Sequence, residues 1–112
     1  MSTVIAVASD LHCGSTIGLC PSTGIELDDG GWYEPSDAQK WLWQEWENHW
    51  NTVKSLARRN TLHLVLNGDL IDGDHHSTPQ IASPLTGIHI RTAMECLGVP
   101  LALKPKQIHV MR

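Results

Sequence analysis

Short apolar runs alternate along this chain with stretches of helical spacing, and the alternation predicts its elements. Thr3 to Ser9 is rich in β-branched residues and breaks abruptly into Asp10-Leu11-His12-Cys13-Gly14, the pattern of a buried strand running into a loop. Leu62 to Asn67 repeats the design and breaks into Gly68-Asp69-Leu70-Ile71-Asp72-Gly73. Gln107 to Met111 predicts a third strand. From Asp37 to about Arg59, at roughly 100° per residue, Ala38, Leu42, Trp43, Trp46, Trp50, Val53, Leu56 and Ala57 share one face. Lys40, Gln44, Glu47, Asn48, Asn51 and Arg58 fall opposite. Ser36 or Asp37 is the N-cap of this helix, and Arg58 and Arg59 suit its last turn, where cations complement the helix dipole. A looser helical pattern (Leu85, Ile88, Thr92, Cys96) runs from about Pro84 to Leu97, with Gly98 and Pro100 ending it. Leu11 to about Ser36 holds no period and is punctuated by glycine and proline, which predicts a lid, a binding loop or a disordered insert. Strand, helix, strand, helix, strand implies an α/β fold: a β-α-β-α-β parallel sheet with flanking helices and right-handed crossovers.

Composition narrows the classes. With 112 residues, 41% apolar and 18% charged, residues 1–112 fit one folded domain. The net charge of -4 and the absence of a Lys/Arg-rich block argue against a general nucleic-acid backbone binder, though not against a nucleic acid as substrate. Residues 1–50 hold one lysine and eight carboxylates, a balance that suits cations better than phosphate chains. The opening apolar run is too short to span a membrane and no positive residue precedes it, so the expected location is cytoplasmic, with no membrane partner. Cys13, Cys20 and Cys96 lack the close pairing of a zinc knuckle and read as reduced thiols.

Loops leaving the carboxyl ends of parallel strands share one edge of the sheet, and ligands bind there. Asp10 and His12 leave the first strand; Asp69 and Asp72 leave the second. Because successive side chains of an extended segment point to opposite sides, Asp10 and His12, at i and i+2, face the same way and can grip one cation. Gly68 lets the backbone turn tightly enough to bring Asp69 close. Carboxylate oxygens combined with imidazole suit Mn, Fe or Zn better than Ca or Mg.

Asp10-x-His12 after one strand and Gly68-Asp69-x-x-Asp72-Gly73 after the next, with a helix between, resemble the first two signature motifs of the calcineurin-like metallophosphoesterases. The Asp-Leu-His-Cys-Gly-Ser opening, the Gly/Pro-rich loop and the Trp-rich helix look especially like versions encoded by bacteriophages and prophages, which would place the protein in the host cytoplasm. The resemblance implies a phosphoester hydrolase that uses a dinuclear metal centre to activate hydroxide. In it Asp10 and His12 ligate the first metal, Asp69 bridges both, and Asp72, with Gly68 and Gly73 shaping the turn, orients the second loop. The complete site would hold two divalent ions, Mn, Fe or Zn, and this chain at most one of them well. The family's third motif, Gly-Asn-His-Asp/Glu, and its later histidine motifs do not occur in the chain. The resemblance therefore covers the N-terminal half of the family's two-sheet sandwich. It implies a partial domain of low or no activity alone, with a sheet face of Val, Ile and Leu left for a complementing C-terminal half or for self-association.

His75 and His76, just past the second motif, are candidates for a metal or substrate contact, although a solvated loop is the plainer reading. Asn67 reads as a strand-end residue and His49, His63, His89 and His109 as structural or exposed. The tryptophan stripe reads as core, with Trp32 and Trp41 off it and available to a substrate or partner. No Gly-Lys-Ser/Thr phosphate loop and no Gly-x-Gly-x-x-Gly is present. The alternative from another class is a truncated, non-catalytic interaction protein of phage origin.

Overall fold

The computed structural model describes residues 2–27, 29–71 and 86–111. Apolar runs become strands β1 (Thr3–Ala8), β4 (Thr61–Asn67) and β5 (Gln107–Met111), which pair in parallel in the order β1-β4-β5. Helices α1 (Asp37–Ala57) and α2 (Thr86–Leu101) make the crossovers. The predicted parallel α/β order is what forms. No helix among the described residues is long and apolar enough to cross a membrane.

Side chains alternate across the sheet. Ala6 and Ala8 of β1 and Leu62, Leu64 and Leu66 of β4 turn to the helices and form the core with Trp50, Val53, Ala93, Cys96 and Leu97. The opposite face is open: Ile5 and Val7 are exposed, and every residue of β5 is exposed, including Ile108, Val110 and Met111.

Helix α1 starts on a capping box. Ser36 Oγ accepts from the Gln39 backbone N–H at 3.2 Å, and Gln39 Oε1 accepts from the Ser36 N–H at 3.1 Å. The helix stops at Ala57, so its last-turn cation is Lys54; Arg58 is the C-cap and Arg59 lies beyond, unlike the predicted extension to Arg59. Of the predicted apolar face, Trp50 and Val53 are buried and Leu42, Trp43, Trp46 and Ala57 pack against the core, but Leu56 and Ala38 are exposed. Trp32 and Trp41 are exposed, as their positions off the stripe predict.

Two differences from the sequence reading have clear physical causes. First, α2 runs through Gly98 and Pro100 to Leu101 rather than ending before them. A proline inside a helix denies a partner to the carbonyl four residues back. Here that carbonyl, Cys96 C=O, accepts instead from the Trp46 indole N–H at 3.1 Å. Second, the irregular stretch is built into the fold. Leu11, Cys13, Leu19, Cys20 and Ile25 are buried, and a short antiparallel ribbon pairs β2 (Ile25–Glu26) with β3 (Trp32–Tyr33).

Candidate metal centre

The β1–β4 ladder does not stop where the strands do. Beyond Ala8↔Leu66, Asp10 N–H donates to Gly68 C=O at 3.3 Å, His12 N–H to Asp69 C=O at 2.9 Å and Cys13 N–H to Leu70 C=O at 3.1 Å. The same register returns at the bridge Cys13↔Ile71. Extending it sets Gly68 opposite Asp10 and Asp69 opposite Leu11, so Asp69 falls between Asp10 and His12.

The side chains converge. One ligand atom each from Asp10, His12 and Asp69 lie within 4.8 Å of one another, and His12 Nε2 stands 3.6 Å from Asp10 Oδ1. Two donors each about 2.1 Å from one ion, at a tetrahedral angle, are about 3.4 Å apart. The Asp10–His12 spacing therefore suits a shared cation, and the set of two carboxylates and an imidazole suits Mn, Fe or Zn. Both groups are reachable from solvent.

Backbone conformation, rather than extended-strand alternation, brings these residues together. Asp10 has φ 58°, His12 φ 47° and Asp69 φ 53°. Left-handed backbone costs about 1–2 kcal/mol in most residues other than glycine, and less in Asp, whose short side chain can hydrogen-bond locally. Besides these three, only Arg59 and Lys104 among the described residues share the conformation without being glycine, and each lies just past a helix end, where it is ordinary. Gly68, at φ 82°, supplies the adjoining left-handed step without that cost.

The first loop is closed tightly. Leu19 N–H donates to Leu11 C=O at 2.8 Å and Ser15 N–H to His12 C=O at 3.1 Å. Gly18 lies so near the His12 carbonyl that a Cβ there would overlap it. The Gln39 amide, 1% exposed, donates to Ser15 C=O at 3.1 Å and to Gly18 C=O at 3.0 Å, while its oxygen also accepts from Tyr33 Oη at 2.7 Å. Gln39 thus pins the loop that carries His12 to the start of α1. On the helix wheel Gln39 falls within the apolar face, at the same angle as Ala57, so a polar residue among core positions was one available signal of this role and the Ser-x-x-Gln capping box a second.

Electrostatics keep Asp10 ready to bind a cation. The Ser9 hydroxyl donates to Asp10 Oδ2 at 2.9 Å and, ahead of the contacts with Asp69 and His12, holds the carboxyl below its ordinary range. The cysteines stand apart from this chemistry. Cys13 Sγ and Cys96 Sγ are 3.9 Å apart and buried. Burial pushes the Cys20 thiol up to about 12, and contact with Cys13, then burial, pushes Cys96 up as well. Cys20 and Cys96 thus remain protonated and poor ligands.

Of the other residues singled out from the sequence, Asp72, Gly73, His75 and His76 lie outside the described residues. Asn67 ends β4 and is exposed. His49 is exposed and packs edge-on against Trp50, His63 faces His109, and His89 is buried. Among the described residues, Asp10, His12 and Asp69 form the one group of three or more potential ligands.

Comparison with family models, with curated proteins and with solved structures gives no match, so the chemistry is read from the site itself.

Proposed function

We propose that the chain is the metal-binding, N-terminal half of a phosphoester hydrolase of the calcineurin-like metallophosphoesterase type. One observation carries this reading: the only described non-glycine residues forced into left-handed backbone away from helix ends are Asp10, His12 and Asp69, whose ligand atoms converge. Backbone strain persists where surrounding structure over-determines it, and it clusters at functional sites. A divalent transition ion held there would act as a Lewis acid towards a phosphoryl oxygen. Asp10 and His12 would hold it from one loop and Asp69 from the other, and on the family resemblance Asp69 would be the member that bridges to a second ion. Three ligands hold one ion; a dinuclear centre needs more.

The expected result of a Mn titration by calorimetry and electron paramagnetic resonance is one ion per chain, lost in Asp69→Ala and in Asp10→Ala. Turnover of an aryl phosphodiester by the chain with Mn is expected to be low or undetectable. Mn binding that survives both substitutions sinks the assignment of the site. Brisk turnover abolished by Asp69→Ala would instead overturn the claim that the chain needs more ligands.

A second reading, an interaction protein without catalysis, is favoured by the open sheet face of Ile5 and Val7 beside the fully exposed strand β5. Molar mass in solution distinguishes it: an oligomer that binds no metal supports this reading over the first.

A further inference from the structure

Asp10 also lines a cleft that the metal site does not use. It measures about 240 Å³ and lies between the first loop and α1. Leu11 and Leu19 floor it, Leu42 and Trp46 wall it, and Glu45 and His49, one helical turn apart, stand at its rim. Leu11 and Leu19 are buried aliphatics, and the Trp46 indole N–H is committed to Cys96 C=O, so the interior offers carbon surface. The Ser9 hydroxyl is likewise committed, to Asp10. The cleft is smaller than the ~300–1,000 Å³ of pockets that enclose drug-sized ligands. It is sized for one ring or a short chain, and Asp10 belongs both to its lining and to the candidate metal site.

Charge completes the description. Glu45 and Asp10 both border the cleft. Lys40, the one lysine or arginine in residues 1–50, is engaged with Glu34 at 2.7 Å. Among the described residues no lysine or arginine lines the cleft, and its two carboxylates outnumber its one imidazole, His49. Resting on the metal-site reading above, we infer that this cleft holds the organic group of a metal-bound phosphomonoester, and that it selects an uncharged apolar or aryl group over one carrying further negative charge.

Three probes test this with the Mn-loaded chain: inorganic phosphate, phenyl phosphate and 4-carboxyphenyl phosphate, with binding followed by calorimetry. Phenyl phosphate is expected to bind about tenfold more tightly than inorganic phosphate, from the ring surface removed from water. The added carboxylate is expected to weaken binding several-fold. Glu45→Lys, at an exposed position that the fold does not depend on, should reverse the order of the two aryl esters while leaving Mn affinity within about twofold. Leu42→Gln should erase the advantage of phenyl phosphate over inorganic phosphate. Equal affinity for phenyl phosphate and inorganic phosphate overturns the inference, as does an aryl-ester order that Glu45→Lys leaves unchanged; in either case Mn binding stays intact and the metal site stands. Loss of Mn binding from the unsubstituted chain is the distinct failure, in which the site reading falls and takes the cleft assignment with it.

Discussion

The two loops that meet at the candidate metal centre are held by different means. The loop after β1 is anchored by a side chain: Gln39, buried at the start of α1, grips the carbonyls of Ser15 and Gly18 while its own oxygen completes a helix cap. The opening of the loop after β4, Gly68 to Ile71, is anchored by backbone: three hydrogen bonds to Asp10, His12 and Cys13 extend the parallel ladder past the strands. Side-chain anchoring can be removed by one substitution without touching a ligand. Backbone anchoring yields only to changes in conformation. The contrast teaches that His12 depends on a distant helix for its place, whereas Asp69 depends on its partner strand.

The largest effect is expected from breaking the side-chain anchor. Gln39→Leu removes the donor to the buried Gly18 carbonyl, at about 1–3 kcal/mol for the group orphaned, and leaves the Ser15 carbonyl with only the Gly18 N–H at 3.3 Å. In the fraction that stays folded, Mn affinity should fall about 10–100-fold, the loss typical of residues that orient a ligand without touching the ion. Denaturant unfolding and Mn titration of the same sample check the two effects separately. Unchanged Mn affinity would show that Gln39 is a cap residue only.

An intermediate effect is expected from Gly68→Ala, which imposes a left-handed cost of about 1–2 kcal/mol on the second loop. Its signature is weaker Mn binding without a change in the Gln39 side-chain amide resonances, since that anchor belongs to the other loop. A simultaneous shift of those resonances would mean that the loops move as one body.

The smallest effect is expected from Trp46→Phe, which removes the donor that compensates the carbonyl freed by Pro100. A loss of about 1 kcal/mol in unfolding free energy is expected, with fraying confined to the last turn of α2 in hydrogen exchange and with Mn affinity preserved. Loss of Mn binding would tie the second helix to the site.

Strands and the first helix were legible because their signals are local. The β-branched run at Thr3, the leucine-rich run at Leu62 and the 3.6-residue spacing through Leu42, Trp46, Trp50 and Val53 reflect propensity and burial that neighbours in sequence share. Asp10, His12 and Asp69 could be named because their residue types sit where strands end. Their convergence does not come from the alternation of an extended chain, which does not apply to residues with φ near 50°. The first loop reads from sequence as a lid, a binding loop or a disordered insert, with its packing hidden, because glycine and proline count the same whether a segment is free or buried. The burial of Leu11, Cys13 and Leu19 follows only once the sheet and α1 provide a surface to pack on. Gly98 and Pro100 read as a stop for the same reason, since the donor that makes Pro100 tolerable stands 50 residues away from the carbonyl it serves.

The sequence by itself determined which segments are strands and helices, that the strands run parallel, and which three residues bear metal-binding chemistry, because hydrophobic period and residue type act over a few neighbours. Only the tertiary structure decided which carbonyls Gln39 holds, that the ladder continues through both loops, and that an apolar cleft opens beside Asp10. Each of these depends on hydrogen bonds and contacts between residues far apart in the chain, whose partners come within reach only when the sheet has formed.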